Sequence, residues 1–138
     1  MKPLVSIIMG AYNCEKTITK CVNSIIMQTY KNWEFIICDD CSNDNTLTIL
    51  KEYHKNDSRI IIIHNEENLK LAASLNKCLK IAKGKYIARM DADDESLPER
   101  IEKQVNYLEN NSEIDVVGCN RIIFDEYGEK GIRKSIEK

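Results

Sequence analysis

Glycine and proline are scarce in this chain, with five and two among 138 residues, and no segment is repetitive or of low complexity. This scarcity excludes a repeat array and a Pro/Gly-rich linker between domains. Long apolar runs are also missing, because the longest purely aliphatic stretch covers only residues 60–63. A helix that spans a bilayer needs about 20 apolar residues. We therefore expect a single domain over residues 1–138, with no transmembrane segment.

An excess of one charge is absent too. Twenty basic residues stand against 22 acidic ones, and the two signs are interspersed along the chain. Nucleic-acid binding requires a clustered basic surface, so it is not predicted. Met1, Lys2 and Pro3 lead directly into a strand pattern, which leaves no room for a signal peptide. We expect a soluble protein in the cytoplasm or at the inner face of the membrane.

Histidine is rare whereas cysteine is not, with two and six residues respectively. Without an export signal, and with enough length to form a core, the chain is expected to carry free thiols. Cys38 and Cys41 have the spacing of a redox or zinc motif. A structural zinc site needs four ligands, however, and no second such pair is present. We expect Cys38 to fill a core position, and we assign no role to His54 or His64.

Short β-rich runs alternate with segments of helical periodicity. Residues 4–9 form a dense apolar run, which is typical of a strand buried on both faces of a parallel sheet. Similar runs predict strands at residues 33–38, 60–64, 86–90 and 116–119. Four amphipathic helices are predicted between them. Their expected buried positions are Ile18, Cys21, Val22 and Ile25 in a helix over residues 15–28, Leu47, Leu50 and His54 in the second, Ala72, Leu75, Leu79 and Ala82 in the third, and Ile101, Val105 and Leu108 in the fourth, which ends near Asn110.

Three local signals predict helix ends. Ser42 or Asp44 can cap the second helix, because short polar side chains accept hydrogen bonds from exposed helix amides. Gly84 is expected to end the third helix in a left-handed turn. Residues 96–99, Ser-Leu-Pro-Glu, have the spacing of a capping box before the fourth helix.

This alternation predicts an α/β fold of the Rossmann-like type, a mostly parallel sheet with helices on both faces. Ligands of such sheets bind beyond the carboxyl ends of the strands. The polar residues of the chain gather at three of these ends: Tyr12 and Asn13, Asp39 and Asp40, and Asp91, Asp93 and Asp94.

Three carboxylates within residues 91–94 suggest a cation site. Asp91, Asp93 and Asp94 repel one another unless solvent or a cation separates them, and hard oxygen ligands suit Mg²⁺ or Mn²⁺. Such an ion could bridge the phosphates of a nucleotide diphosphate and neutralise the leaving group. Alternatively, Asp93, Asp94 and Glu95 merely precede a helix and favour its positive end.

The run from Asp39 to Thr46 is the second polar cluster. The carboxylate of Asp40 could accept a hydrogen bond from the ring N–H of a pyrimidine base. The ring of Tyr12, at the neighbouring strand end, offers a stacking surface for the same base. Alternatively, residues 39–45 form only a polar turn and a helix cap.

Three motifs in this order resemble the signatures of family 2 glycosyltransferases. They are residues 5–13 (VSIIMGAYN), residues 39–46 (DDCSNDNT), and residues 91–94 (DADD) followed by residues 97–100 (LPER). The resemblance runs from the first strand to the helix near Asn110 and implies the nucleotide-diphospho-sugar transferase (GT-A) type of fold. It also implies an inverting enzyme that takes UDP-sugars or other nucleotide sugars. The version here is most similar to bacterial enzymes of capsule and cell-surface polysaccharide assembly, whose acceptors are saccharides or lipid-linked sugars.

The resemblance also assigns roles to individual residues. It implies that Asp93 is a direct metal ligand, that Asp91 lies at the ribose or a metal-bound water, and that Arg89 reaches the diphosphate. It also implies that Tyr12 lies against the base, that Asp40 accepts from the ring N–H of the base, and that Asn68 lies near the nucleotide.

Two departures from the family pattern are present, and one role has no candidate. Gly10 follows Met9 where many members have proline, and Lys70 stands where glycine is common and could crowd or charge the nucleotide pocket. The general base that deprotonates the acceptor is expected beyond Lys138, in a longer protein. Asp125, Glu126 and Glu129 lie in a polar, turn-rich tail and are not convincing candidates for it.

Two other classes of function remain as alternatives. The chain could bind nucleotide sugars without catalysis, because it lacks an acceptor-binding half. It could instead transfer phosphoryl groups, as a receiver or a phosphatase with a D-x-D nucleophile. Both of those place aspartates after the first strand, whereas this chain has Tyr12 and Asn13 there and Asp91 after the fourth strand.

Overall fold

The computed structural model describes residues 2–125 and 127–133. Ten elements follow one another: β1 (Val5–Ala11), α1 (Ile18–Ile26), β2 (Trp33–Asp39), α2 (Thr46–Asn56), β3 (Ile60–His64), α3 (Lys70–Ile81), β4 (Tyr86–Arg89), α4 (Arg100–Asn110), β5 (Arg121–Asp125) and β6 (Gly128–Arg133). The first four strands are parallel and lie in the order β3-β2-β1-β4. The predicted Rossmann-like α/β fold is therefore confirmed.

The sheet has a core on each face, because successive strand side chains point to opposite sides. Val5, Ile7 and Met9 of β1 pack with α1, α2 and α4, whereas Ile8 packs with α3. All four predicted core positions of α1 are fully buried. Each such apolar side chain contributes roughly 1.5–3 kcal/mol by leaving water. Helix α1 is shorter than predicted, since it begins at Ile18 and ends at Ile26.

The predicted buried stripe of α3 is confirmed only in part. Leu75 and Ala82 are half-buried and pack against the core on that face of the sheet, whereas Ala72 is exposed and Leu79 is 45% exposed. The fully buried residues of α3 are Ser74 and Cys78. The reason is close packing: α3 lies so near β1 that a Cβ atom on Gly10 would be 3.6 Å from Cβ of Ser74. The small side chains of Ser74 and Cys78 therefore face the sheet most directly, and Leu75 packs beside them.

Gly84 does not end α3 in a left-handed turn. The helix ends at Ile81 and its last cap is Ala82, in extended conformation. The need for glycine is steric instead, because a Cβ atom at position 84 would lie 2.5 Å from the backbone nitrogen of Ser6 and 2.9 Å from the oxygen of Leu4. Gly84 N also donates to Oγ of Ser6 at 2.8 Å. The residue thus lets the chain pass directly against β1.

The capping box predicted before α4 does not form. Glu99 occupies the N-cap position without a side-chain cap bond. Gln28, at the end of α1, provides the cap: its Oε1 accepts from Ile101 N at 3.1 Å, and its Nε2 donates to Leu97 O at 2.8 Å. At α2 the prediction of Asp44 is confirmed, because its Oδ1 accepts from Thr46 N at 2.9 Å.

The predicted return of residues 116–119 to the sheet is also wrong. The segment has no regular structure, and Val116 is 85% exposed. Nε2 of Gln104 on α4 donates to Val117 O at 3.5 Å. The chain continues into an antiparallel hairpin of β5 and β6. Among the described residues, no helix is long and apolar enough to cross a membrane.

Candidate functional site

The ends of β1 and β4 form one wall each of a cleft of about 670 Å³ at the carboxyl edge of the sheet. Parallel strands direct their carboxyl ends to the same edge, so residues far apart in sequence meet there. Four sequence-predicted residues line this larger cleft. They are Tyr12, Arg89, Asp91 and Asp93.

A hydrogen-bonded clamp fixes the loop that follows β1. Asn13 adopts a left-handed conformation (φ 48°). Its N–H donates to Oγ of Ser42 at 3.0 Å, and its Oδ1 accepts from Asn43 N at 2.8 Å. Two residues later, Glu15 N donates to Oδ2 of Asp44 at 3.1 Å. The polar cluster after β2 therefore both caps α2 and holds the loop that carries Tyr12.

Tyr12 lies between the larger cleft and a smaller one of about 240 Å³. Its side chain is 48% exposed, although the flanking Ala11 is buried. An aromatic ring held open by a clamped backbone is suited to stacking against a planar ligand. Asp40 and Asn68 are the other predicted residues that line this smaller cleft.

Asp40 is buried, with 4% of its surface exposed. Its Oδ1 accepts from Nδ2 of Asn65 at 2.7 Å and from Leu69 N at 2.8 Å, and its Oδ2 accepts from Lys70 N at 2.8 Å. Burial raises the pKa of this carboxyl, but the hydrogen bonds from Asn65, Leu69, Ser74 and Lys70 outweigh burial, so the net shift lowers the pKa. Asp40 is thus ionised and anchors the loop between β3 and α3.

The same loop places Lys70 in a left-handed conformation, with φ at 70°. This conformation is unfavourable for any residue with a Cβ atom but not for glycine. The side chain of Lys70 is exposed and lines the smaller cleft beside Asn68. The departure at position 70 therefore places an ammonium group at the edge of this cleft.

The acidic run after β4 is divided between an ion pair and an open carboxylate. Nη2 of Arg89 is 2.7 Å from Oδ1 of Asp91, and both side chains are partly exposed. Asp93 is exposed and forms no hydrogen bond or ion pair within the described part of the chain. Burial, together with the neighbouring carboxylates of Asp93 and Asp91, raises the pKa of Asp94. Because α4 begins only at Arg100, these aspartates do not lie in its first turn, so the helix-end interpretation is wrong.

A model of glycosyl transferase family 2 matches residues 6–137. The chain belongs to glycosyltransferase family 2. Its sequence is 54% identical over 133 residues to EpsE of Bacillus subtilis (strain 168), whose assignment as a glycosyltransferase is provisional. This match covers 95% of this chain and 48% of EpsE. It is 49% identical over 106 residues to the UDP-Glc:alpha-D-GlcNAc-diphosphoundecaprenol beta-1,3-glucosyltransferase WfaP of Escherichia coli, covering 77% and 41% of the two chains.

A solved structure agrees with this membership. S. aureus TarS 1-349 in complex with UDP-GlcNAc matches with a TM-score of 0.74 and 29% identity, over 78% of this chain and 32% of that chain. The GT-A type of fold predicted for the family 2 chain is thereby confirmed. The chain spans about half the length of the curated relatives it matches, or less.

Sequence reasoning missed two residues that are hydrogen-bonded in series to Asp40, behind the smaller cleft. Asn65 is buried beside Asp40, and Nζ of Lys77 donates to Oδ1 of Asn65 at 2.7 Å. The position of Asn65, one residue after a predicted strand end, was a signal for it. Lys77 had none, because its partner lies 12 residues away. His64, to which no role was assigned, places Nδ1 2.9 Å from Oδ2 of Asp39.

The cysteines of the family 2 chain are consistent with their predicted state. Cys14, Cys21, Cys38, Cys41 and Cys78 are free thiols, and Cys38 is fully buried as expected. Burial raises the pKa of Cys21 to about 12 and that of Cys78 to about 11, so these two thiols are unreactive at neutral pH.

Proposed function

We propose that the chain is the donor-binding part of an inverting glycosyltransferase of bacterial surface polysaccharide synthesis, with a UDP-sugar as its donor. The observation that carries this proposal is the convergence of six polar side chains on two adjoining clefts at one sheet edge. The names of two relatives support the donor, since WfaP is a UDP-Glc enzyme and TarS was solved with UDP-GlcNAc.

The smaller cleft is the proposed site of the base. Tyr12 offers an exposed ring for stacking, and Asp40 offers a buried, ionised acceptor for a ring N–H. Asn68 lines the same cleft, and its Oδ1 is 3.3 Å from Lys70 N. A uracil between these groups would extend its ribose and diphosphate toward the larger cleft, because Tyr12 lines both.

The larger cleft is the proposed site of the diphosphate and a divalent ion. Among residues 2–125 and 127–133, no group of three or more His, Cys, Asp or Glu side chains could hold a metal. One or two carboxylates in an open cleft suit an ion that takes its other ligands from substrate phosphates and water. Asp93 would hold Mn²⁺ or Mg²⁺ directly and Asp91 through water or beside the ribose, while Arg89 would contact the diphosphate. The bound ion supplies neutralisation of the leaving diphosphate.

We propose that the acceptor site and the general base correspond to the parts of the relatives that this chain does not match. Asp125 pairs with Lys130 on the hairpin at 3.4 Å, and Glu129 is exposed on β6. Glu126 lies outside the described residues. The name of WfaP points to an acceptor linked to diphosphoundecaprenol, which would place the enzyme at the inner face of the membrane.

Calorimetry with UDP, with and without MnCl₂, tests the proposal directly. We expect UDP to bind in the micromolar to low millimolar range, and Mn²⁺ to tighten binding. An Asp93→Asn variant should lose the Mn²⁺ effect, whereas Glu95→Gln, which removes an equal charge from an exposed residue, should keep it. Absence of UDP binding at millimolar concentration in both conditions would contradict the proposal.

A further inference from the structure

An ion pair lies in the larger cleft, between two residues that both line it. Nη2 of Arg89 is 2.7 Å from Oδ1 of Asp91, and the two side chains are 55% and 45% exposed. An exposed ion pair adds little to stability, because water screens the charges and both side chains lose rotamer freedom. A ligand that binds either partner more strongly can therefore replace the ion pair.

The backbone that carries this ion pair is fixed, whereas its two side chains are free to rotate. Nη2 of Arg100 donates to Arg89 O at 2.9 Å, and Met90 N donates to Ile8 O at 3.0 Å. The side chains of Arg89 and Asp91 form no other hydrogen bond or ion pair among the residues that the structure describes. A change of partner thus requires only side-chain rotation.

A diphosphate and a divalent ion would each compete for one partner of the ion pair. The guanidinium of Arg89 matches a phosphate, to which it can donate two parallel hydrogen bonds. The carboxylate of Asp91 is a hard oxygen ligand of the kind that Mg²⁺ and Mn²⁺ prefer. Each ligand on its own must break the ion pair, whereas the two ligands together break it once.

We propose that Arg89 exchanges partners when the donor binds, so that its guanidinium passes from Asp91 to the diphosphate and the released Asp91 faces the cation. This inference rests on the function proposed above and deepens it. The ion pair makes diphosphate and cation binding cooperative, because the free energy of breaking it is required only once for both. Such cooperativity is reciprocal, so each ligand tightens the binding of the other by the same factor.

Binding of MnCl₂ alone, measured by electron paramagnetic resonance of free Mn²⁺, tests the ion pair without any nucleotide. The proteins are the wild type, Arg89→Met and, as the control, Lys16→Met. Lys16 is exposed and lines the same cleft without an ion pair in the described part of the chain, so its replacement removes an equal charge and leaves Asp91 paired. We expect Arg89→Met to bind Mn²⁺ about two- to fivefold more tightly than Lys16→Met, the scale of one exposed ion pair.

A second set of variants tests whether the effect passes through Asp91. In an Asp91→Asn background the ion pair is already absent. There, Arg89→Met should tighten Mn²⁺ binding no more than Lys16→Met does. A difference that persists in this background would contradict the inference, because it would show that Arg89 opposes the cation by its general charge.

Calorimetry with UDP, with and without MnCl₂, measures the cooperativity in the same proteins. Mn²⁺ should tighten UDP binding by a factor that is two- to fivefold smaller in Arg89→Met than in the wild type and Lys16→Met. Uridine lacks the diphosphate, so its binding to the wild type should not depend on Mn²⁺.

The outcomes separate this inference from the function on which it rests. A wild type that binds no UDP overturns the proposed function. If the wild type binds UDP but Arg89→Met binds Mn²⁺ no more tightly than Lys16→Met, or retains the full cooperativity, the inference alone is overturned.

Discussion

The left-handed conformation of Lys70 allows a test of the structure by a single substitution. The residue has φ at 70°, its side chain is exposed, and its ammonium group forms no hydrogen bond or ion pair within the described part of the chain. Replacing Lys70 with glycine therefore removes steric strain without removing a contact. The N–H that donates to Asp40 at 2.8 Å is retained.

The expected gain follows from two opposing free energies. A residue with a Cβ atom in this conformation is strained by about 1–2 kcal/mol, whereas glycine loses about 0.5–1 kcal/mol more backbone entropy on folding. We expect Lys70→Gly to raise the free energy of unfolding by about 0.5–1 kcal/mol. The same substitution at Lys80, in the last turn of α3, should lower it by about 0.5–1 kcal/mol, because glycine is a poor helix former.

Urea unfolding followed by tryptophan fluorescence provides the assay. Trp33 is the sole tryptophan, is 2% exposed, and packs against the guanidinium of Arg59 at 3.7 Å, so its emission reports the folded core. With an m value of about 2 kcal/mol/M, Lys70→Gly should raise the midpoint by about 0.25–0.5 M at constant m. If Lys70→Gly and Lys80→Gly lower the midpoint by similar amounts, position 70 is not left-handed and the description of this loop is wrong.

Three further changes probe the sheet, the carboxylate network and the cleft. Gly84→Ala should destabilise by about 1–3 kcal/mol, because its Cβ atom meets the immobile backbone of β1, and a thermal melt checks this. In the folded protein the pKa of Asp40 lies below its ordinary value of 3.8, so the ionised carboxylate stabilises the fold fully at pH values above 3.8. This contribution to the free energy of unfolding is lost as the pH falls from 3.8 to the folded-state pKa. Asp40→Asn should thus be less stable at pH 7 and lose less stability between pH 5 and 2; an unchanged acid transition would refute this. Asp93→Asn should weaken Mn²⁺-dependent UDP binding tenfold or more, and equal loss without Mn²⁺ would indicate a different role.

Local patterns were sufficient for the elements that bury large apolar side chains. Ile18, Cys21, Val22 and Ile25 recur at helical spacing, and all four are buried in the core that they share with β1. The parallel strands were also predictable, because each lies in a mainly apolar run that is too short for a helix. These elements position the carboxyl edge, so the sequence motifs at strand ends predicted which residues line the clefts.

The errors arose where tertiary contacts overrode local signals. Helix α3 fully buries Ser74 and Cys78, whereas Leu75 is only half-buried and Leu79 is exposed, because α3 packs closely against β1 at Gly10. The start of α4 is capped by Gln28, which is 73 residues away from Ile101 in sequence. No local pattern identifies such a partner. The same reason hides Lys77, whose hydrogen bond to Asn65 joins two segments that are 12 residues apart.

The two departures from the family pattern meet in space, although 60 positions separate Gly10 and Lys70 in the numbering of the chain. Both line the smaller cleft, and Leu71, which follows Lys70, lines both clefts. A Cβ atom on Gly10 would lie 2.8 Å from Cδ1 of Leu71, so a side chain at position 10 would displace it. The missing side chain at position 10 therefore makes room for the leucine that the left-handed turn at Lys70 directs toward β1. The two positions form one steric unit, and a change at either alters the wall that would face the nucleotide.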